Sequence, residues 1–307
     1  MTKTAFLFPG QGSQAVGMGR SFHEGSEAAR ALFARADEAL GYSITKLCFE
    51  GPEEELKLTR NTQPALLLVS HVAFRLLGRQ PAIAAGHSLG EYSALVAAGA
   101  LAFEDALRLV HKRGRYMQEA VPVGEGAMAA VLGAAHDDLA AALAKVTSGV
   151  VQIANWNSPE QFVIAGHKAA VEEALALAKP PRSVMLPVSA PFHSSLMKPA
   201  EERLAVDLDA ASFKDPAFPI VTNVDARVIR TAAEARDALK RQVSRPVLWS
   251  KSMESLAGEA IDAFVELGAG KVLIGLMKRI GKGWPKPFAL ANVEDMESLA
   301  RAGALFG

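Results

Sequence analysis

The amino-acid sequence predicts a mixed α/β protein with a parallel sheet, interrupted by a second and smaller domain. Short apolar segments alternate with longer segments of helical periodicity, which is typical of a parallel sheet covered by helices. The order of elements changes between residues 124 and 189, and the alternation resumes after residue 190. Half of the 307 residues are hydrophobic, so the chain can bury a sizeable core.

The first 123 residues are expected to form the first part of the larger domain. The predicted elements are a strand at 4–8, helices at 27–40 and 63–77, a strand at 82–85, and helices running to 98 and over 103–120. Gly41 follows the first of these helices directly, in the position where glycine commonly ends a helix. These elements alternate as a parallel sheet requires.

Residues 124–189 show a different order. We predict a strand at 127–132, a helix at 137–145, a strand at 150–154, a turn at 155–159, a strand at 161–165, a helix at 167–178 and a strand at 183–186. This β-α-β-β-α-β order is that of the ferredoxin-like split βαβ fold. We therefore expect a small domain over 124–189, inserted into a larger one made of 1–123 and 190–307.

The last part of the chain returns to the α/β pattern. The predicted elements are a helix at 194–208, a strand at 220–222, a helix at 234–243, a strand at 263–267, a helix at 272–280 and a strand at 288–292. The apolar strands among them are expected to extend the parallel sheet.

Composition and charge argue against several classes of protein. Lys and Arg total 33, as do Asp and Glu, so a net charge of zero argues against bulk nucleic-acid binding. The single cysteine, Cys48, suits a reducing compartment, and we expect a cytoplasmic protein. No segment approaches the ~18 apolar residues of a membrane helix, and no Cys/His cluster has the spacing of a metal site.

A G-x-S-x-G motif at residues 86–90 is the strongest sign of chemistry. An apolar strand is predicted before it and a helix after it, and a sharp strand-to-helix turn exposes the serine hydroxyl above the sheet. The backbone N–H after the serine then faces the place where an oxyanion would form. This context favours Ser88 as a nucleophile over a glycine turn with an idle serine.

A serine nucleophile needs a base, and His193 is the best candidate by position. The histidines of the chain are His23, His71, His87, His111, His136, His167 and His193. His193 lies in a loop of small residues at the return to the larger domain, whereas His87 adjoins Ser88 and should point away from it. No carboxylate stands out as a third member, so a dyad with its histidine held by a backbone carbonyl is plausible.

Arg113 is a candidate anion site on the predicted helix at 103–120. Its planar guanidinium matches a carboxylate with two parallel charge-assisted hydrogen bonds. Lys112 and Arg115 lie nearby, and from spacing alone a surface helix with three exposed basic residues is the favoured interpretation.

Taken together, several motifs in order resemble the malonyl-CoA:acyl-carrier-protein transacylases of fatty-acid synthesis. The resemblance covers nearly the whole chain. Its motifs are 8–14 (FPGQGSQ), 62–65 (TQPA), 86–92 (GHSLGEY), Arg113-Gly114 with Met117-Gln118, 157–159 (NSP), 193–197 (HSSLM), Gln242 with Pro246-Val247, and 270–273 (GKVL).

The resemblance implies a hydrolase-like α/β domain with a ferredoxin-like insert, and it implies roles for individual residues. Ser88 and His193 match the catalytic pair, the backbone amides of Gln11 and Leu89 match the oxyanion hole, Arg113 matches the acid-recognising arginine, and Gln242 matches the residue whose main-chain carbonyl orients the histidine. We also assign Gln63, Asn157 and Phe192 to substrate binding.

The activity implied is ping-pong transfer of a malonyl group from malonyl-CoA to acyl carrier protein. The phosphopantetheine is carried by that partner, and no permanently bound cofactor and no metal are expected. Two alternatives stay open: an acyltransferase that serves a polyketide synthase, and a serine thioesterase or hydrolase. Arg113 and the missing triad carboxylate argue against the second.

Overall fold

The computed structural model describes residues 2–188 and 190–306, and it contains one six-stranded and one four-stranded sheet. The described strands are β1 (Thr4–Phe8), β2 (Ile83–Gly86), β3 (Gly126–Leu132), β4 (Val151–Ser158), β5 (Gln161–His167), β6 (Arg182–Met185), β7 (Ile220–Val221), β8 (Val228–Ile229), β9 (Ala263–Leu267) and β10 (Ala289–Val293). The predicted α/β class with a parallel sheet is confirmed.

Helices cover both sheets. The described helices are α1 (Arg20–Gly25), α2 (Glu27–Leu40), α3 (Ile44–Glu50), α4 (Glu53–Lys57), α5 (Thr59–Leu77), α6 (Gly90–Ala97), α7 (Phe103–Glu119), α8 (His136–Leu143), α9 (Lys168–Ala178), α10 (Lys198–Ala210), α11 (Ala232–Gln242), α12 (Trp249–Glu254), α13 (Val272–Ile280) and α14 (Met296–Gly303). Five of them, α1, α3, α4, α12 and α14, have no counterpart in the sequence prediction, because five to eight residues are too few to show a helical period.

The six-stranded sheet has the order β10-β9-β1-β2-β7-β8. Its first five strands are parallel, and only β8 runs antiparallel to its neighbour. All five residues of β1 are buried, which is expected of a central strand with helices on both faces. The carboxyl ends of β1, β2 and β7 therefore meet at one edge, where ligands of open α/β sheets bind.

The four-stranded sheet is antiparallel, in the order β4-β5-β3-β6, and α8 and α9 supply its helical cover. It has an apolar core of its own. Strand β4 extends to Ser158, through the segment where the sequence predicts a turn at 155–159. Pairing with β5 extends this strand to Ser158, and backbone hydrogen bonds between Trp156 and Val247 and between Val247 and Ala154 attach it to the chain beyond α11. The division at 124–189 stays a prediction, and residues 1, 189 and 307 of the predicted domains lie outside the described residues.

Helix α5 begins at Thr59, four residues before its predicted start, and contains Pro64 in its interior. Proline has no N–H to donate to the carbonyl of Arg60 one turn earlier. That carbonyl lies 3.0 Å from His111 Nδ1 on α7, which can donate in its place. A tertiary contact thus compensates for the local defect and allows the helix to start earlier than its sequence suggests.

Candidate active site

The turn between β2 and α6 holds Ser88 in a strained conformation. Its φ of 52° lies in the left-handed region that side chains other than glycine rarely adopt. A Cβ on Gly86 would lie 1.9 Å from the carbonyl of Gly90, and one on Gly90 would lie 2.0 Å from the carbonyl oxygen of Phe8. Both glycines are therefore required by close backbone approach, and the turn presents Ser88 at the edge of the sheet.

Asn223, which is distant in sequence, holds this turn in place through two hydrogen bonds. Its Oδ1 accepts the backbone N–H of Ser88 at 2.6 Å, and its Nδ2 donates to the carbonyl of Gly86 at 2.7 Å. Asn223 is fully buried and lies two residues after β7. Sequence reasoning missed it, although a polar residue directly beyond an apolar strand was a usable signal.

Ser88, His193 and the backbone of Gln242 form one hydrogen-bonded line. Ser88 Oγ lies 2.7 Å from His193 Nε2, and His193 Nδ1 lies 2.9 Å from the Gln242 carbonyl oxygen. Because a carbonyl only accepts, Nδ1 carries the proton and Nε2 is free to accept from Ser88. Within residues 2–188 and 190–306, no carboxylate hydrogen-bonds to His193.

The pKa of His193 is lowered to about 3, mainly by burial and also by the positive charge of Arg113, whereas the carbonyl of Gln242 has the opposite effect. His193 is only 4% exposed. Its imidazole is therefore neutral at physiological pH, which is the form that can take a proton from Ser88.

A lowered histidine pKa has a testable consequence for pH dependence. Acylation of Ser88 by p-nitrophenyl acetate is expected to be constant between pH 8 and 5.5, because the imidazole stays in its base form until far lower pH. If the histidine had its ordinary pKa of about 6.5, the acylation rate would fall about tenfold between pH 8 and pH 5.5. The rate of adduct formation by mass spectrometry is the measurement. A tenfold fall with a midpoint near 6.5 would contradict the lowered pKa.

Arg113 lies inside the protein beside this pair, so the exposed position that spacing alone favours is wrong. It is 1% exposed, and its NH2 group lies 3.1 Å from Ser88 Oγ. Its NH1 and NH2 groups donate to the side-chain oxygens of Gln63 and Gln242, both at 2.9 Å. In the described part of the chain no carboxylate forms a salt bridge with Arg113, and its Nε has no hydrogen-bond partner.

A buried guanidinium without an ion pair is an electrostatic cost. Burial lowers the pKa of Arg113, while the nearby Tyr92 and Glu91 raise it. Arginine nevertheless stays protonated in proteins, so the site carries a positive charge next to the nucleophile. An anionic substrate group placed there would be stabilised by this charge.

The other predicted site residues lie around this core with different kinds of contact. Asn157 hydrogen-bonds through Oδ1 to His87 Nε2 at 2.8 Å, which turns the His87 ring away from Ser88 as expected. Phe192 is buried and precedes His193 directly. These positions make no hydrogen bond to Ser88 Oγ, and their roles in substrate binding stay predictions.

Of the two positions predicted for an oxyanion hole, Leu89 directly follows Ser88 and Gln11 lies beyond the neighbouring strand β1. Leu89 directly precedes the first residue of α6, so its N–H has no carbonyl one turn back within the helix. Gln11 follows β1, next to β2 in the sheet, and its side chain donates to Thr59 at 3.3 Å. Binding of an oxyanion by these two backbone amides stays a prediction.

Metal and thiol chemistry have little support among residues 2–188 and 190–306. No group of three or more His, Cys, Asp or Glu side chains there is arranged to hold a metal ion. Cys48 is buried, and burial raises the pKa of its thiol to about 12, so it is not a reactive thiolate.

None of the described helices is both long and apolar enough to cross a membrane.

Comparison with known proteins gives a consistent result across nearly the whole chain. A family model described as an acyl transferase domain matches residues 5–305. A protein of Bacillus subtilis (strain 168), named malonyl CoA-acyl carrier protein transacylase, is 48% identical over 305 residues, which cover 97% of this chain and 96% of that protein.

Solved structures agree with the sequence relatives. The malonyl CoA-acyl carrier protein transacylase from Coxiella burnetii has a TM-score of 0.95 and 41% identity, covering 99% of this chain and 97% of that one. A malonyl-transacylase in complex with its type II PKS acyl-carrier protein also has a TM-score of 0.95, with 42% identity and coverage of 99% and 100%. The likeness therefore includes both sheets and is not limited to the serine motif.

Proposed function

The chain belongs to the acyl transferase family, and from this premise we propose that it transfers a malonyl group from malonyl-CoA to acyl carrier protein. The resemblance inferred from the sequence motifs is confirmed by this membership. The chain is an acyltransferase, and its acceptor is the phosphopantetheine thiol of the carrier protein. The product, malonyl carrier protein, supplies fatty-acid elongation.

The observation that carries this proposal is the position of Arg113 beside Ser88. A buried guanidinium 3.1 Å from the nucleophile, with no salt bridge in the described part of the chain, suits an acyl group with its own carboxylate. The malonyl group has such a carboxylate on the carbon next to its thioester. A site for uncharged acyl groups would gain nothing from burying this charge.

We propose that acylation uses Ser88 as nucleophile and His193 as base. His193 Nε2 takes the hydroxyl proton as Ser88 Oγ attacks the thioester carbonyl, and the backbone amides of Gln11 and Leu89 stabilise the oxyanion, each by about 3 kcal/mol. The carbon–sulfur bond then breaks, and the coenzyme A thiolate takes the proton from His193. Malonyl-Ser88 and free coenzyme A are the products of this half-reaction.

The second half-reaction reverses the roles. The phosphopantetheine thiol gives its proton to His193 and attacks the ester carbonyl of malonyl-Ser88, and the proton returns to Ser88 Oγ as the ester bond breaks. Gln242 keeps His193 in the required tautomer through its main-chain carbonyl. Gln63 and Arg113 are proposed to hold the malonyl carboxylate in both steps, with Asn157 and Phe192 shaping the substrate path.

The substrate path is proposed to run between the larger domain, residues 1–123 and 190–307, and the small domain, residues 124–189, since His87 and Asn157 meet between the two sheets. We propose that no cofactor is bound permanently and that the protein is cytoplasmic. The single buried cysteine, which suits a reducing compartment, supports a cytoplasmic location.

A second candidate function is the same transfer in a polyketide pathway. The specific observation in its favour is the likeness to a malonyl-transacylase solved with its type II PKS acyl-carrier protein. The chemistry at Ser88 would be identical, and only the carrier would differ. A panel of fatty-acid and polyketide carrier proteins would separate the two, because the native carrier should have the lower KM.

The test of the proposed function is intact-protein mass after brief exposure to malonyl-CoA. We expect one malonyl adduct, and its loss when holo acyl carrier protein is added, because the acyl-serine ester waits for the second thiol. Initial rates with both substrates varied should give parallel lines. Release of coenzyme A without transfer to the carrier would indicate a hydrolase, and intersecting lines would contradict the two half-reactions.

A further inference from the structure

Glu91 is a buried carboxylate for which the mechanism above has no use. It lies in the first turn of α6, three residues after Ser88, and is fully buried. Its Oε1 has no hydrogen-bond partner in the described part of the chain. A buried carboxylate with one oxygen that forms no hydrogen bond destabilises the folded protein. The contacts of its other oxygen should therefore explain why it is there.

The other oxygen, Oε2, receives two donors that belong to the site. The backbone N–H of Asn223 donates to it at 2.9 Å, and the side-chain Nε2 of Gln242 donates to it at 2.8 Å. Asn223 is the residue that holds the backbone of Ser88 and Gly86. Glu91 thus joins the nucleophile turn to the glutamine behind His193.

The Gln242 side chain connects Glu91 to Arg113. Its Nε2 faces the carboxylate of Glu91, and its Oε1 accepts from Arg113 NH2 at 2.9 Å. The same Nε2 also donates to the backbone carbonyl of Ser88 at 3.0 Å. Carboxylate and carbonyl oxygens accept and a guanidinium donates, so these three neighbours together determine the orientation of the amide. An amide turned the other way would place its NH2 group against the guanidinium and its oxygen against the carboxylate.

The environment of Glu91 is consistent with this arrangement. Burial raises the pKa of Glu91 to about 7, whereas the N–H groups of Asn223 and Gln242 and the charge of Arg113 lower it. The two donors share Oε2, so a proton on Oε1 would leave both hydrogen bonds in place. The contribution of Glu91 to the orientation of Gln242, beside that of the Ser88 carbonyl, therefore depends on an acceptor at Oε2 and not on a particular charge.

We propose that Glu91 is a positioning residue for the Arg113 guanidinium, acting through the side-chain amide of Gln242, and that it thereby sets the preference for malonyl over uncharged acyl groups. This inference rests on the proposed function, because it concerns the malonyl carboxylate. The Glu91 carboxylate hydrogen-bonds to neither Ser88 Oγ nor the His193 ring, and only its backbone N–H reaches the carbonyl of Ser88. Its effect is on selectivity, since Arg113 is the group that it orients.

The test compares acylation of Ser88 by malonyl-CoA and by acetyl-CoA in single turnovers. Glu91→Met removes the acceptor at nearly constant size, and we expect it to lower the malonyl-over-acetyl ratio at least about tenfold. Glu91→Gln retains an oxygen at the same reach, so the ratio should stay within about threefold of that of the unaltered protein. Glu91→Asp draws the acceptor back by one methylene and should lower the ratio at least about threefold.

Glu266 offers a matched control. It is also a buried carboxylate, and burial raises its pKa to about 7, but its oxygens accept the N–H groups of Leu273 and Ile274 at the start of α13. Glu266→Gln is expected to leave the malonyl-over-acetyl ratio unchanged. Thermal unfolding midpoints of all variants separate loss of fold from loss of selectivity.

The outcomes distinguish this inference from the function on which it rests. An equal loss with both acyl-CoAs in Glu91→Met, leaving the ratio unchanged, would overturn the positioning role. If Glu91→Met does not fold, an unchanged ratio in Glu91→Asp would overturn it instead. If the unaltered protein forms no malonyl adduct at all, the proposed function fails.

Discussion

Replacing Ser88 with alanine is expected to lower malonyl transfer at least about 10⁴-fold, which is the order of loss when a serine nucleophile is removed. The hydroxyl oxygen forms the covalent bond in both half-reactions, and nothing else at that position can replace it. Ser88 Oγ also contacts His193 at 2.7 Å and Arg113 at 3.1 Å, so its loss leaves both without this partner. Intact mass after exposure to malonyl-CoA, together with the rate of coenzyme A release, is the measurement.

Ser93 supplies the matched control for this change. It lies on the same helix α6, is buried, and its hydroxyl has no hydrogen-bond partner in the described part of the chain. Ser93→Ala is therefore expected to form the malonyl adduct at the normal rate. A malonyl adduct of normal amount on the Ser88→Ala protein would show that another residue is the nucleophile.

The local part of the site was predictable because it is encoded within a few residues. The G-x-S-x-G motif specifies a turn in which Gly86 and Gly90 allow close backbone approach, and a short strand and a helix on either side are visible as apolar and helix-forming segments. The α/β class followed from the same alternation. Both depend on contacts that are near in sequence.

The remainder of the site depends on contacts between distant segments, and a local pattern can mark a candidate residue there without identifying its partner. Asn223 accepts a hydrogen bond from the backbone of Ser88, 135 positions away in sequence. Gln242 donates one to Glu91, 151 positions away. The burial of Arg113 could not be inferred from its helix, where the neighbouring basic residues favour an exposed face. Its position follows only from the packing of α7 against α5, where Gln63 is its partner.

The extent of β4 illustrates the same limit. An Asn-Trp-Asn-Ser-Pro segment has the composition of a turn, yet its first four residues continue the strand. Backbone hydrogen bonds to Val247 pair this segment with a distant part of the chain, and they place Asn157 beside His87. Pairing with β5 on one side and with Val247 on the other here overrides the turn propensity of the segment.

Replacing Arg113 with alanine is expected to lower malonyl transfer by about 10²- to 10⁴-fold, since truncating one member of a buried charged pair costs about 3–5 kcal/mol. In the variant the malonyl carboxylate would enter a buried site with no cation to bind. Acetyl-CoA has no such carboxylate, so its transfer should fall far less, and acetyl transfer should rise relative to malonyl transfer. Competition between the two acyl-CoAs, read as the ratio of adducts on Ser88, is the measurement.

The ratio is more informative than either rate, because Arg113 also donates to Ser88, Gln63 and Gln242 and its loss will disturb all three. Such a disturbance affects both acyl groups, whereas the lost charge affects only the malonyl group. Arg115→Ala is the matched control, since Arg115 lies on the same helix with an exposed side chain near Glu119. An unchanged ratio in Arg113→Ala would mean that the buried guanidinium serves the serine turn alone and that another group recognises the malonyl carboxylate.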